Sequence, residues 1–293
     1  MSLNRREFIK LTGLWIGGML LSPGSVWAST GSGWENAVAM LYDTTKCIGC
    51  RACQNACKDW NGIPAEPDPK GLYDAPMDLT ADTWTIIKLY QRGGESSFIK
   101  HQCMHCIKPA CVSVCPVGAL RKTAEGPVVY DDYKCIGCRY CMMACPFRIP
   151  KFEWDTPLPL IRKCTFCADR LALGMEPACT AACPTGALIF GRRSELLGEA
   201  HQRIQANPGR YVNHVYGEHE IGGTSALYLS HVPFEMLGFP TLGTRPNAAS
   251  SEAAMIATPG VIVGAVGILS GFYWFTQRRV AGEGVKVPRG KEE

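Results

Sequence analysis

Sixteen cysteines fall into four groups of four along a chain of 293 residues, and none is left over. The tightest group is Cys135, Cys138, Cys141 and Cys145 followed by Pro146, spaced C-x2-C-x2-C-x3-C-P (motif III). Motif I is Cys47, Cys50, Cys53 and Cys57, with the same spacing. Motif II is Cys103, Cys106, Cys111 and Cys115, and motif IV is Cys164, Cys167, Cys179 and Cys183. Three closely spaced thiolates on a tight turn cap three iron corners of a cubane, and the fourth cysteine reaches a neighbouring cluster. Structural zinc sites usually come as two separated C-x2-C pairs, so this spacing favours 4Fe–4S clusters. The net charge of +4 carries no strong nucleic-acid footprint, and the six histidines show no repeated ligand spacing.

The motifs are of two alternating kinds. Motifs I and III share D-x-x-K-C-I-G-C-R-x-C-x-x-A-C, from Asp43 to Cys57 and from Asp131 to Cys145. Motifs II and IV end alike in C-P-x-G-A-L, Cys115 to Leu120 and Cys183 to Leu188. Motif III resembles the bacterial two-cluster ferredoxin run. Between II and III, Ala119-Leu120-Arg121-Lys122, Gly126 and Val128-Val129-Tyr130 read as strand, turn, strand, which is similar to the ferredoxin linker. Motifs II and III therefore pair as one module, leaving I and IV for the other. Residues 147–163, with Pro150, Pro157 and Pro159, read as an extended crossing segment. With crossed fourth ligands, the expected sets are Cys47, Cys50, Cys53 and Cys183 (set 1); Cys103, Cys106, Cys111 and Cys145 (set 2); Cys135, Cys138, Cys141 and Cys115 (set 3); and Cys164, Cys167, Cys179 and Cys57 (set 4).

Together with Phe98-Ile99-Lys100-His101-Gln102 before motif II and Lys163-Cys164-Thr165-Phe166-Cys167, these motifs resemble the four-cluster iron–sulfur subunits of membrane-bound oxidoreductases. That family serves nickel–iron hydrogenases, formate dehydrogenases and dimethyl sulfoxide reductase-type enzymes. The resemblance spans about residues 42–193 and implies the nested pairing. It is greatest to the periplasmic electron-transfer subunit of uptake nickel–iron hydrogenase, the hydrogenase-2 type. The resemblance implies an α+β fold of two ferredoxin-like modules carrying four 4Fe–4S clusters. It also implies large and small hydrogenase subunits as catalytic partners and an integral membrane quinone-reducing subunit as the other. No nucleophile, acid–base pair or nucleotide loop stands out, so the expected role is electron relay without substrate chemistry of its own. The alternatives are an iron–sulfur subunit of a molybdenum enzyme such as formate dehydrogenase and, in another class, a zinc- or disulfide-stabilised scaffold.

The two ends of the chain fit an exported, anchored protein. Arg5-Arg6, a short apolar run over residues 11–21 and the small-residue site at Val26-Trp27-Ala28 read as a twin-arginine signal over residues 1–28. A formate dehydrogenase subunit of this family is usually exported with its catalytic partner, so the chain's own signal favours hydrogenase. The twin-arginine route, as the resemblance implies, carries folded proteins, so clusters load in the reducing cytoplasm before export. Residues 255–275 carry no charge and are long enough to span a bilayer, with Tyr273 and Trp274 suited to the interface. Arg278 and Arg279 follow, placing the C-terminus in the cytoplasm and the cluster domain on the periplasmic face of the inner membrane. Gly260, Gly264, Gly267 and Gly271 form a stripe suited to close helix packing. The expected division is signal 1–28, cluster domain 29–193, covering extension 194–252, transmembrane helix 253–277 and basic tail 278–293.

Elsewhere, residues 84–90 read as a strand turned at Gly93-Gly94 into a hairpin, and residues 194–206 as a helix capped by Ser194. Gly222-Gly223-Thr224 leads into a strand at 226–229, and residues 232–240 read as an extended apolar segment for a membrane or partner surface. His105 is expected either behind the ligands or facing solvent, and not as a ligand itself. Arg51 and Arg139, each after the second cysteine of its motif, either raise cluster potentials or are solvated.

Overall fold

Residues 38–43, Val-Ala-Met-Leu-Tyr-Asp, carry β-branched, aliphatic and aromatic side chains without glycine or proline, and they form the central strand of the largest sheet. The computed structural model describes residues 37–65 and 77–282, so the expected signal and residues 283–293 of the basic tail lie outside the described residues. In chain order the strands are β1 (Val38–Asp43), β2 (Ile86–Arg92), β3 (Glu95–His101), β4 (Leu120–Lys122), β5 (Val128–Tyr130), β6 (Lys151–Phe152), β7 (Ile161–Arg162), β8 (Leu188–Arg192) and β9 (Ala226–Leu229). The helices are α1 (Ala52–Asn61), α2 (Ala110–Ser113), α3 (Tyr140–Ala144), α4 (Ala168–Ala172), α5 (Ala178–Ala181), α6 (Arg193–Ala206) and α7 (Ala248–Gly282). The architecture is α+β, as the sequence suggests.

Strand β1 lies between β8, antiparallel, and β9, parallel. Successive side chains of a strand point to opposite faces, and here both faces are buried. Ala39, Leu41, Leu227 and Leu229 face one way and pack with Leu196 and Ala200 of α6. Met40, Tyr42, Ala226 and Tyr228 face the other way, into a cluster that includes Ile87, Ile99, Phe166, Cys53 and Cys179. The sheet thus joins an ordinary helix-on-sheet core to the cysteine-bearing half. At its end, Asp43 is fully buried and accepts hydrogen bonds from Arg203 Nη1 at 3.1 Å and Tyr211 OH at 2.9 Å.

Two strand pairs repeat one arrangement. After motif II, β4 runs antiparallel to β5, which leads into motif III, with Leu120 opposite Tyr130. After motif IV, β8 runs antiparallel to β1, which leads into motif I, with Leu188 opposite Tyr42. The next residue repeats its bond as well: Asp131 N–H donates to Ala119 O at 2.8 Å, and Asp43 N–H to Ala187 O at 2.7 Å. The first pair is local in sequence; the second joins strands about 145 residues apart.

Several expectations are borne out. Residues Gly93 and Gly94, both at positive φ, turn β2 into β3 in register from Ile86 opposite His101 to Arg92 opposite Glu95. Others are corrected. Helix α6 is flanked at its start by Arg192, with no side-chain cap bond, so Ser194 is not the cap. Residues 147–163 are not simply extended, because β6 and β7 pair and the Arg162 guanidinium meets the Glu153 carboxylate. Residues 232–240 turn their apolar side chains inward: Val232, Phe234, Leu237 and Phe239 are core, and Phe239 packs against Tyr216, Tyr228 and His101. An apolar run without periodicity does not say whether it meets a partner or its own chain.

Residues from Ser250 onward form a separate unit. Within α7, the stretch Ile256–Arg278, 23 residues with mean hydropathy 1.7, is long and apolar enough to cross a membrane. It contains Pro259, and Ile256, Val263 and Phe272 are exposed.

Gly217 is held at φ +98°, where a Cβ would stand 2.4 Å from Thr224 Oγ1 and 2.5 Å from Ala226 O. Gly217→Ala is expected to destabilise the folded unit by about 2–3 kcal/mol, read as a lower denaturant midpoint at unchanged cluster content. An unchanged midpoint would show that the β9 edge does not need this close approach.

Candidate metal centres

The loops of motifs I and III are built alike. Gly49 and Gly137 both have φ +69°, and Arg51 and Arg139 have φ +61° and +62°. Each left-handed pair curls the chain back, so that Gly49 N–H donates to Cys47 Sγ and Gly137 N–H to Cys135 Sγ, both at 3.4 Å. Each loop then enters a helix: Cys53 and Cys57 lie on α1, Cys141 lies on α3 and Cys145 caps its end. Glycine takes this left-handed conformation freely, whereas arginine there is strained.

Motifs II and IV share another frame. Pro109 and Pro177 sit at the starts of α2 and α5, which carry Cys111 and Cys179 as their second residues. Val114 and Ala182 close these helices with φ −85° and −87° and the same ψ of −1°. Gly118 and Gly186 follow at φ +63° and +61°. Ala119 N–H donates to Cys115 Sγ at 3.2 Å, and Phe166 N–H to Cys164 Sγ at 3.4 Å.

None of the sixteen cysteines is paired in a disulfide. Cys47, Cys50, Cys53 and Cys183 line one cavity together with Tyr42, Ile87 and Leu188. Cys106 has Cys103, Cys145 and Cys111 as its charged neighbours, and Cys141 has Cys115, Cys135 and Cys138. Cys57 is within electrostatic reach of Cys179 and Cys167, and Cys164 of Cys57 and Cys179. The fold therefore brings together the residues of each expected set. Further pairs link the sets: Cys53 with Cys179, Cys164 with Cys103, and Cys111 with Cys141. These electrostatic pairs follow the order 1, 4, 2, 3. The two exposed cysteines, Cys50 and Cys138, belong to the two end sets.

Burial dominates the electrostatics. It pushes the thiols of Cys53, Cys57 and Cys111 up to about 12, with neighbouring thiolates adding to the rise and Lys100 opposing it at Cys53 and Cys57. Burial likewise pushes Cys141 and Cys145 up to about 11. Tyr42 and Tyr130 occupy equivalent places beside Cys47 and Cys135, and burial and those thiols raise both phenols. Four soft donors around one apolar space, with N–H groups aimed at sulfur, are a donor set suited to a cubane cluster. Among the described residues, no three His, Cys, Asp or Glu converge on a site for a single ion.

His105 is not solvated. It is buried, accepts from Val128 N–H at Nδ1 at 2.9 Å and meets the Phe166 ring edge-on with centroids 4.9 Å apart. Burial holds its pKa well below the usual histidine range, so the ring is neutral, with its proton on Nε2. The Arg139 guanidinium lies 5.4 Å from the Phe152 ring and 5.1 Å from the Trp154 ring. Sequence reasoning missed three lysines, Lys100, Lys122 and Lys163. Lys163 is buried and donates to Cys164 O at 2.9 Å, and Lys122 donates to Cys106 O at 3.0 Å. Lys100 precedes motif II by three residues, as Lys163 precedes Cys164 by one, and that proximity was the available signal.

Known families agree with this geometry. A 4Fe-4S dicluster domain matches residues 95–193, and a 4Fe-4S binding domain matches residues 38–59. The chain is thus an iron–sulfur protein of the 4Fe–4S ferredoxin type. Over 267 residues it is 46% identical to a protein of Nitratidesulfovibrio vulgaris, covering 86% of this chain and 70% of the relative. It is 38% identical to the hydrogenase-2 operon protein HybA of Escherichia coli O157:H7 over 287 residues, covering 85% of this chain and 88% of the relative. It is 42% identical to the iron-sulfur subunit of the nitrate-inducible formate dehydrogenase of Escherichia coli K12 over 202 residues, covering 66% and 68%. The chain belongs to the family of electron-transfer iron–sulfur subunits that includes HybA and the formate dehydrogenase iron–sulfur subunits.

Thiols held near 12 are protonated at neutral pH, so each must release a proton to bind iron. Uptake of iron and sulfide by iron-stripped chain is therefore expected to strengthen as pH rises from about 7 to about 9, followed by visible absorbance. Uptake independent of pH over that range would contradict the burial of these thiols.

Proposed function

We propose that the chain relays electrons through four 4Fe–4S clusters between a catalytic oxidoreductase subunit and an integral membrane quinone-reducing subunit. The ligand sets are the four given above, in two modules formed by motifs I with IV and II with III. The observation that carries this reading is the repeated strand pair, Leu188 opposite Tyr42 and Leu120 opposite Tyr130. It gives motifs I and IV the same relation that the ferredoxin linker gives II and III. The row of sets 1, 4, 2, 3 supports a single path, with partners meeting its exposed ends near Cys50 and Cys138. Around the second end, Tyr133, Ile136, Tyr140, Met143 and Trp154 are exposed and apolar, as suits a docking surface.

When bound, a 4Fe–4S cluster takes up and gives out one electron at a time. The chain's own residues hold the thiols in place, direct N–H groups at sulfur and keep water from the inner sets. Those are the factors that set a cluster's potential. The chain carries out no substrate chemistry of its own.

The catalytic partner we favour is a nickel–iron hydrogenase oxidising hydrogen. The HybA match extends over 85% of this chain, whereas the formate dehydrogenase subunit matches 66%. The reading also includes export by the twin-arginine signal at residues 1–28. It includes a cluster domain over 29–193 with its extension over 194–252, anchoring by 253–277 and a cytoplasmic basic tail over 278–293. The cluster domain then lies on the periplasmic face of the inner membrane.

Anaerobic purification from detergent-solubilised membranes tests the reading. The expected result is about sixteen irons per chain, four cubanes of four, and a nickel-containing partner. A molybdenum-containing partner would transfer the chain to the formate dehydrogenase type, and a colourless zinc protein would end the relay reading. The crossed ligands have a separate test. Cys115→Ser is expected to perturb the cluster of motif III, and Cys145→Ser that of motif II, by electron paramagnetic resonance. The opposite pattern would show uncrossed ligation.

A further inference from the structure

Four lysines close to the cysteines are buried or largely buried, and three have evident structural work; Lys58 donates to Pro64 O and Asp82 O. Lys163 and Lys122 donate to backbone carbonyls, and so tie loops together. Lys100 differs. It stands on β3 opposite Ile87, is 0% exposed, and donates to the side-chain oxygen of Gln102. Gln102, also buried, directs its amide to Met40 Sδ at 3.5 Å, and Cys179 Sγ reaches the same sulfur at 4.0 Å. The side chains that act most strongly on Lys100 are Cys179, Cys53, Cys164 and Cys57. Those four thiols come from sets 1 and 4.

A buried ammonium without a counter-charge is unstable and either finds a partner or loses its proton. A cubane held by four thiolates carries net negative charge, so clusters bound by sets 1 and 4 would supply the counter-charge that lets the buried Lys100 ammonium keep its proton. Its alkyl stem crosses an apolar core where screening by water and salt is weak, so its field is felt at full strength by anything between those thiols.

We propose that Lys100 is a fixed cation that raises the reduction potentials of the clusters held by sets 1 and 4, and thereby governs the electron step from that module to the next. The proposal rests on the four-cluster reading. Reduction adds one negative charge to a cluster, so a nearby ammonium stabilises the reduced form more than the oxidised form. In the step itself one cluster is oxidised by one electron and its neighbour reduced by one, while the lysine keeps its proton. Gln102 acts as a positioning residue, because its carbonyl holds the ammonium and its amide is anchored on Met40.

The test is a dye-mediated redox titration of the full, anaerobically prepared chain, followed by electron paramagnetic resonance. Lys100→Met keeps most of the side chain's length and its unbranched shape and removes the charge. Two of the four midpoints are expected to fall by at least tenfold in reduction equilibrium, about 59 mV for a one-electron couple. The other two should hold, and Lys100→Arg should restore the lowered pair. Unmoved midpoints in a fully loaded Lys100→Met chain, or an equal shift in all four, would overturn the proposal. If Lys100→Met fails to take up its iron, Gln102→Glu decides instead. A carboxylate against the ammonium cancels its field, so the same two midpoints must fall, and their constancy would overturn the proposal. An unaltered chain that itself holds fewer than four clusters fails the four-cluster reading, not the lysine.

Discussion

A thiolate in an apolar interior is the constraint on which this fold turns. Burial raises the cost of the charged sulfur, as the values near 12 at Cys53, Cys57 and Cys111 record. Iron is what makes such a density of sulfur tolerable, because ligation exchanges each proton for a metal bond. Without it, four neighbouring thiolates repel one another in a medium that screens them poorly. The loops answer with backbone N–H groups aimed at sulfur and with left-handed turns at Gly49, Gly137, Arg51 and Arg139. A segment bent this tightly has few alternative shapes, and so the cysteine spacing constrains the backbone around it.

The two repeated strand pairs solve one problem in two ways. Motifs II and III are joined by a short hairpin, and the chain passes directly from one to the other. Motifs I and IV are far apart in sequence, and the same strand pair must be assembled across the intervening module. Closing so long a loop costs entropy that local contacts do not repay. Strand β9 and helix α6 offset that cost by burying β1 on its free edge and outer face. The segment after residue 193 is therefore part of the sheet that holds motif I against motif IV, as well as cover.

Much of the site was legible because cysteine spacing and backbone geometry are tightly coupled. The A-B-A-B order, the hairpin between II and III and the turn at Gly93-Gly94 all carry their own local signals. Strands β1 and β8 were not recognised, since a strand buried on both faces loses its alternation and reads as a plain apolar run. Residues 232–240 misled for a similar reason: their apolar side chains carry no sequence pattern that tells core from interface. His105 could be placed beside the clusters from its position, but its neutral state depends on Val128 and Phe166, which approach from elsewhere in the chain.

By itself the sequence determined the chemistry, because ligand type and short-range spacing are covalent facts. Sixteen thiols in four repeated frames call for iron and sulfide whatever the rest of the chain does. Only the tertiary structure decided that β8 closes onto β1 across the chain and that Lys100 is buried on β3. Those are matters of long-range packing, in which strands from opposite ends of the domain meet and an ammonium of ordinary sequence context is carried into the interior by the strand it sits on.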